Sequence, residues 1–462
     1  MKLALSLLLT VTAAANAQLE PEVQAKVDAA VHQTLDKTGV PSASVGIVKD
    51  GKIVYAAAFG NARIHPDVPA AITMRYPIGS ITKQFTAACI LLLQQDGKLS
   101  LDDPISKFFP ELTRANEVTI RNILTHTSGY SDYAPQDYTI PKWTHPTTAS
   151  AVVHEWAGKP LDFTPGTQWQ YSNTNFELAG MIVEKVSGDT YWHFLRTRVL
   201  EPIGIHGALD LDRDREKVEP WGYQRNAFAP LRRAILEAPG WYFADGNLAL
   251  TPADLLTWDL SVINQSLLSP ASYAAMEAEM KTKDGKGTGY GLAVSVGVRN
   301  GHRVVAHSGE VGGFVAANTI YPDDKFAVVV LTNQEASPAA GAIARAITLM
   351  MVPGLAPPAA VSNAAAEAQA KAVLIGLQQG KIDRTLFTED ANFYFDKDTV
   401  ADYQTSLAPL GEVVSVTQTG ESLRGGMTQR SFDVKFAGRV AALSTYIMPD
   451  GKIEQFLVEP KT

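Results

Sequence analysis

Pro77-Ile78-Gly79-Ser80-Ile81-Thr82-Lys83-Gln84-Phe85 is the stretch from which the rest of this 462-residue chain is read. Apolar residues follow at Phe85, Ala88, Cys89, Leu92 and Leu93, the spacing of a helix with one buried face running to Gln95. Ser80 then falls at or just before a helix N-terminus, where free N–H groups and the helix dipole favour a developing negative charge. Lys83 lies one turn further on and shares a face with Ser80. A serine hydroxyl is a poor nucleophile until something takes its proton. A lysine held in a dry pocket near other charges can take it, or can lower the pKa of a base that does. About one S-x-x-K arises by chance in a chain of this length, so the tetrad gains meaning only with partners.

The chain opens with Met1-Lys2, an apolar run from Leu3 to Val11 and Ala15-Asn16-Ala17, the layout of a secretory signal peptide over residues 1–17. The expectation is an exported protein, periplasmic or secreted, that starts at Gln18. No later segment approaches the ~20 apolar residues of a membrane-spanning helix. Formal net charge is −8, or −9 without Lys2, which argues against a nucleic-acid surface or a polybasic membrane anchor. A hydrophobic fraction of 46% with 19% charged residues suits a globular enzyme with a large core, and the length suggests two or three domains. The single cysteine, Cys89, lies on the apolar face of the Ser80 helix and reads as a small buried hydrophobe. There is no C-x-x-C, H-E-x-x-H or G-x-S-x-G, and His154-Glu155 stands alone, so neither a metal site nor a cofactor is expected.

Ahead of the Ser80 helix, a helical stripe covers residues 20–37, and Ser42–Val48 and Ile53–Phe59 form a hairpin turned by Asp50-Gly51. Behind it come a short helix from Ile120 to Leu124 and a Trp- and Tyr-rich stretch over 130–170, either a cap over a cleft or a loop-rich subdomain packing its own aromatics. Phe176–Val186 is a further amphipathic helix, and Thr251-Pro252 caps another that runs through Trp258. Strands follow at Gly291–Val298, Arg303–His307, Gly313–Tyr321 and Phe326–Thr332, then a helix at Ala339–Met351. Residues 353–363 read as a Pro/Ala-rich linker. Residues 364–462 form a second, small α+β unit: helices near 364–379 and 398–408, then a meander of strands near 412–420, 428–437, 440–448 and 452–458. It is weakly similar to cone-shaped domains of the NTF2-like kind.

Two triplets join Ser80 and Lys83. Tyr171-Ser172-Asn173 lies on a loop before a helix and is the only Y-x-N in the chain. A tyrosine beside a lysine ammonium has its phenolate favoured and can serve as a base near neutral pH. His307-Ser308-Gly309 ends a predicted strand. Gly309 would let a substrate pair with the strand edge, and the Glu310 N–H would share an oxyanion hole with that of Ser80. Taken singly, each triplet has a structural explanation; their order and spacing carry the weight.

With S-x-x-K, L-T-H-T-S-G, P-G-x-x-x-x-Y-S-N and H-S-G-E-V-G-G-F in that order, the chain resembles the class C β-lactamase-like serine hydrolases over about residues 20–352. That group includes class C β-lactamases, D-Ala-D-Ala carboxypeptidases, D-aminopeptidases and esterases. The resemblance implies an α+β fold, an antiparallel sheet flanked by the terminal helices with a mostly helical lobe inserted between its second and third strands. The site would lie between sheet and lobe. By the same resemblance Ser80 is the nucleophile, Lys83 and Tyr171 the acid/base pair, and Asn173 a ligand for the substrate amide and for Lys83. His307 stands where β-lactamases of this type carry the lysine of K-T-G, and H-x-G variants are found among the peptidases and esterases.

These residues lead to an exported serine hydrolase working through an acyl-enzyme on a small-molecule or peptide substrate, of peptidase or esterase type. β-Lactamase action is the first alternative. The second is a binding or regulatory protein that kept the fold and lost turnover, with the C-terminal unit as the working part. His307 is expected to be a neutral donor beside Tyr171, because a cluster that already holds a positive charge disfavours a second.

Overall fold

The computed structural model describes residues 18–355 and 363–461. The signal segment at 1–17 and the greater part of the 353–363 linker lie outside the described residues. The first helix, Pro21–Thr38, starts on a proline at N1 and stops at Gly39, whose φ of 70° gives the left-handed cap that a side chain would resist. It leads into β1 (Ser42–Lys49) and β2 (Lys52–Ile64). Asp50 and Gly51 both take positive φ, 52° and 70°, as the two-residue turn between twisted strands requires.

A short β3 (Asp67–Pro69) adds to the edge. The chain then leaves the sheet for the lobe and returns as β4 (Ser295–Arg299), β5 (His302–Val311), β6 (Phe314–Tyr321) and β7 (Phe326–Thr332). The strands lie in the order β3-β2-β1-β7-β6-β5-β4, each antiparallel to its neighbour. Central β7 is buried along its whole length. Val328 and Val330 face the first helix and Ala339–Met351 on one side, while Val329 and Leu331 face the lobe on the other. Both faces are covered, so this strand reads as an unbroken apolar run rather than an alternation.

The Ser80 helix, Thr82–Gln95, departs from the expected single buried stripe: every residue from Thr82 to Leu93 is buried. Its polar face is enclosed because each polar group finds a partner. Gln84 accepts from the Trp258 indole at 3.1 Å and donates to Asn318 at 3.2 Å, and the Thr86 hydroxyl meets the Ala244 carbonyl at 2.6 Å. Two strand limits also differ from expectation. Gly289 and Ala293 take positive φ, so the segment from 289 turns instead of extending, and β4 begins only at Ser295. The strand expected to stop at His307 continues to Val311.

Residues 364–460 carry helices Ala364–Gln378 and Lys397–Leu407, an unforeseen short helix at Glu389–Tyr394, and a meander of β8 (Val413–Arg424), β9 (Met427–Phe436), β10 (Val440–Ile447) and β11 (Ile453–Pro460). Leu374, Phe395, Tyr403, Phe432 and Phe456 form its core, which Ala227 of the larger part joins. The unit is bound to the lobe: the Tyr138 hydroxyl donates to the Glu454 carbonyl at 2.9 Å, and Gln455 Nε2 donates to Asp137 at 2.9 Å.

Candidate active site

Ser80 sits on a 3₁₀ turn, Gly79–Ile81, that runs straight into the buried helix. Two glycines press this turn against β5. A Cβ on Gly309 would lie 1.8 Å from the Ile78 carbonyl oxygen and 3.0 Å from the Ser80 nitrogen, and one on Gly79 would lie 2.6 Å from the Glu310 nitrogen. From His307 onward β4 no longer pairs with β5, whose edge is left without a strand there, while the Ser80 turn packs on the sheet face at Gly309. The lack of a side chain at Gly309 permits this backbone contact, which brings the Ser80 and Glu310 amides close to one another at a helix N-terminus. A single methyl has nowhere to go, since both neighbours are main chain. Gly309→Ala should lower stability by about 2 kcal/mol through overpacking. It should also slow acylation by about 10²-fold by parting the two amides. Urea unfolding and the rate of fluorophosphonate labelling check both, and wild-type values for the pair would contradict this account.

Lys83 is fully buried, and all three of its N–H bonds are directed. Its Nζ donates to Ser80 Oγ at 2.8 Å, to Asn173 Oδ1 at 2.7 Å and to the Asp245 carbonyl at 2.9 Å, and it lies 3.8 Å from the Asp245 carboxylate. Burial pushes that carboxyl up, against the pull of Lys83 and of the Tyr133 hydroxyl that donates to it at 3.0 Å. Asn173 turns its oxygen to Lys83 because its amide nitrogen donates to the Ala134 carbonyl at 3.0 Å and to Asp132 at 3.3 Å. Its backbone N–H donates to the same Asp132 carboxylate at 2.8 Å. The Tyr171 ring lies with its centroid 5.2 Å from Lys83 Nζ and 4.2 Å from the ring of His126. Ser80, Lys83, Tyr171 and Asn173 are thus brought together.

His307 is placed differently from the expected donor. Its Nδ1 donates to the carbonyl of Ser308, and its Nε2 accepts from the Tyr290 hydroxyl at 2.9 Å. Both ring nitrogens are engaged within the protein, and the centroid lies 6.2 Å from that of Tyr171. Burial, then the charge of Lys83, pushes its pKa down to about 4. Below the ordinary imidazole value near 6.5 an unfolded chain takes up a proton that folded His307 refuses. Its contribution is therefore present above pH 6.5 and lost as pH falls towards 4, to the extent of about 3 kcal/mol. Buried Glu310 and Glu335, whose carboxyls burial pushes upward, slope the other way, and buried His126 slopes the same way. The comparison with His307→Asn isolates the one group: the variant's urea midpoint should fall less steeply between pH 6.5 and 4 than that of the wild type. Parallel slopes would mean that His307 is protonated in the folded state.

The cavity beside Ser80 has a volume of about 80 Å³ and is walled by Tyr133, Trp143 and Trp241. The aromatic stretch thus lines the cleft as well as packing on itself. Asp137, Glu237, Asp245, Glu310 and Glu335 also line it, with Arg424 from the C-terminal unit. Sequence reasoning missed Asp132, Asp245, Tyr290 and Arg424. None sits in a short-range pattern, and each is recruited by long-range packing; only His126 lay inside a quoted motif.

The sequence profile described as "Beta-lactamase" matches residues 27–349. The chain belongs to the β-lactamase family. Among its relatives is the protein named flp of Staphylococcus aureus (strain NCTC 8325 / PS 47), 28% identical over 330 residues, 68% of this chain and 64% of that protein's length. The octameric penicillin-binding protein homologue from Pyrococcus abyssi superposes with a TM-score of 0.63 at 22% identity, covering 94% of this chain and 99% of its own. That likeness of fold takes in the C-terminal unit as well. A D-stereospecific amidohydrolase from a Streptomyces species has a TM-score of 0.59 at 25% identity, covering 72% of this chain and 99% of its own. The matched region of 27–349 contains Ser80, Lys83, Tyr171 and Asn173.

Proposed function

We propose that this family member is an exported serine hydrolase that cleaves an amide or ester through an acyl-enzyme on Ser80. The observation that carries the reading is the 2.8 Å contact from Lys83 Nζ to Ser80 Oγ, made directly beside the paired Ser80 and Glu310 amides. Ser80 Oγ attacks the substrate carbonyl as its proton passes to a Tyr171 phenolate, or to Lys83 once that ammonium has given up one of its three protons. The negative oxygen is held by the two amides. The same acid/base pair returns the proton to the departing amine or alcohol, and water then frees the acid.

The lining favours a compact substrate over one that must be held by a carboxylate. The cavity is small, and His307 keeps both ring nitrogens for the protein and offers a substrate carboxylate no charge. The similarity to a D-stereospecific amidohydrolase supports cleavage of an amide. A panel of D-aminoacyl anilides, nitrophenyl esters and a chromogenic cephalosporin tests it. Turnover of the anilides and esters well above that of the cephalosporin is expected. Preferential opening of the cephalosporin would make the β-lactamase alternative correct, and no labelling by a fluorophosphonate would favour the non-catalytic one.

A further inference from the structure

The hairpin between β8 and β9 turns at Gly425-Gly426, both in the left-handed region with φ of 56° and 81°. Its tip lies on the Tyr171-Ser172-Asn173 loop. The Tyr171 N–H donates to the Leu423 carbonyl at 3.4 Å, and the Gly425 N–H donates to the Tyr171 carbonyl at 3.2 Å, closing a parallel bridge between Tyr171 and Arg424. A Cβ on Gly425 would lie 2.8 Å from Cβ of Pro135 and 3.1 Å from that of Asp132, so the tip seats closely on the lobe.

The Arg424 side chain enters the Ser80 cavity with its guanidinium 5.5 Å from the centroid of the Tyr171 ring. It is fixed there by Asp137 Oδ1 at 2.9 Å, the Tyr446 hydroxyl at 2.9 Å, the Ala134 carbonyl at 3.2 Å and, at 3.7 Å, Asp132. Asp132 is the same carboxylate that holds Asn173, so one group ties the hairpin to the Y-x-N loop. Lys83 approaches the Tyr171 ring as well, at 5.2 Å. His307 supplies no charge, because one ring nitrogen donates and the other accepts.

We infer that Arg424 is a positioning residue of the active site, through which the C-terminal unit fixes the Tyr171 loop and sets a second positive charge against the Tyr171 ring. A fixed cation there stabilises the negative charge that develops on the phenol oxygen while a proton is in transit, and it does so without reorganisation. The inference rests on the acyl-enzyme reading above, and it assigns part of the catalytic apparatus to a segment outside the matched family region of 27–349.

The test uses the full chain with Arg424→Gln, Arg424→Lys and Gly425→Val. Labelling by a fluorophosphonate and steady-state kinetics on a nitrophenyl ester are read beside the unfolding midpoint. Arg424→Gln should slow labelling and lower kcat by about 10²-fold, with KM within about threefold of wild type. Arg424→Lys keeps the charge and should recover to within about tenfold of wild type. Gly425→Val leaves every charge in place but lifts the tip off Pro135, and it too should slow labelling, which keeps the test open if Arg424→Gln fails to fold. The inference is overturned if Arg424→Gln reacts like wild type, if the lysine variant is as slow as the glutamine variant at equal stability, or if the loss lies in KM alone. A wild-type protein that takes no label would instead overturn the acyl-enzyme reading itself.

Discussion

Ser80→Ala should abolish covalent labelling and lower kcat by about 10³-fold or more, since no other group in the cluster can form the acyl intermediate. The change removes one oxygen from a turn whose shape is set by main-chain contacts, so the unfolding midpoint should stay close to wild type. Ser172 provides the contrast. It is fully buried, and its hydroxyl donates to the Ser131 carbonyl at 3.2 Å, a bond that holds the loop. Ser172→Ala should therefore cost about 1 kcal/mol of stability and little of the labelling rate. Mass spectrometry of the labelled proteins, together with turnover of an ester, separates the two. Equal losses at both serines would mean that the nucleophile has been misassigned.

The second large effect is expected at Lys83. Lys83→Met fills much of the same space but withdraws the donor from Ser80 Oγ, Asn173 Oδ1 and the Asp245 carbonyl at once. Two of those acceptors are then left buried without their partner, at about 1–3 kcal/mol each. The labelling rate should fall by about 10³-fold, the scale of a lost general base acting with its nucleophile. Tyr171→Phe asks whether the pair works as a unit. If it does, the double variant should be hardly slower than the worse single one, because groups in a shared proton path are strongly non-additive. A Lys83→Met protein that labels at the wild-type rate would remove Lys83 from the chemistry.

Much of this fold was legible because its signals are local. Asp50-Gly51 marks a two-residue turn whose positive φ only certain residues accept. Thr251-Pro252 marks a helix start, and the structure adds the reciprocal bonds between Thr251 and Asp254. Ser80 and Lys83 were legible for the same reason, being one helical turn apart. Burial of the polar face of the Ser80 helix was not, because periodicity reports which residues are apolar and is silent on Gln84 finding Trp258 and Asn318. The aim of His307 was hidden likewise: its ring is turned by Tyr290, whose neighbours Gly289 and Gly291 suggested only a strand. Arg424 is the extreme case. In the sequence it is a charged residue beside two glycines at a hairpin tip, the usual look of a solvated turn, and only tertiary packing brings it to Tyr171.

The pairing of Tyr171 with the 423–425 tip also bears on the order of events during synthesis. Ser80, Lys83 and Asn173 are all present early in the nascent chain, and the lobe that carries them can collapse while later segments are still being made. The cavity they face, however, lacks the Arg424 side chain until the ribosome has passed that residue and the Val413–Phe436 hairpin has closed. A chain stalled or clipped ahead of that hairpin would hold its nucleophile in an open groove. Arrival of Arg424 at Tyr171 is thus tied to closure of a hairpin that follows the rest of the site in the chain.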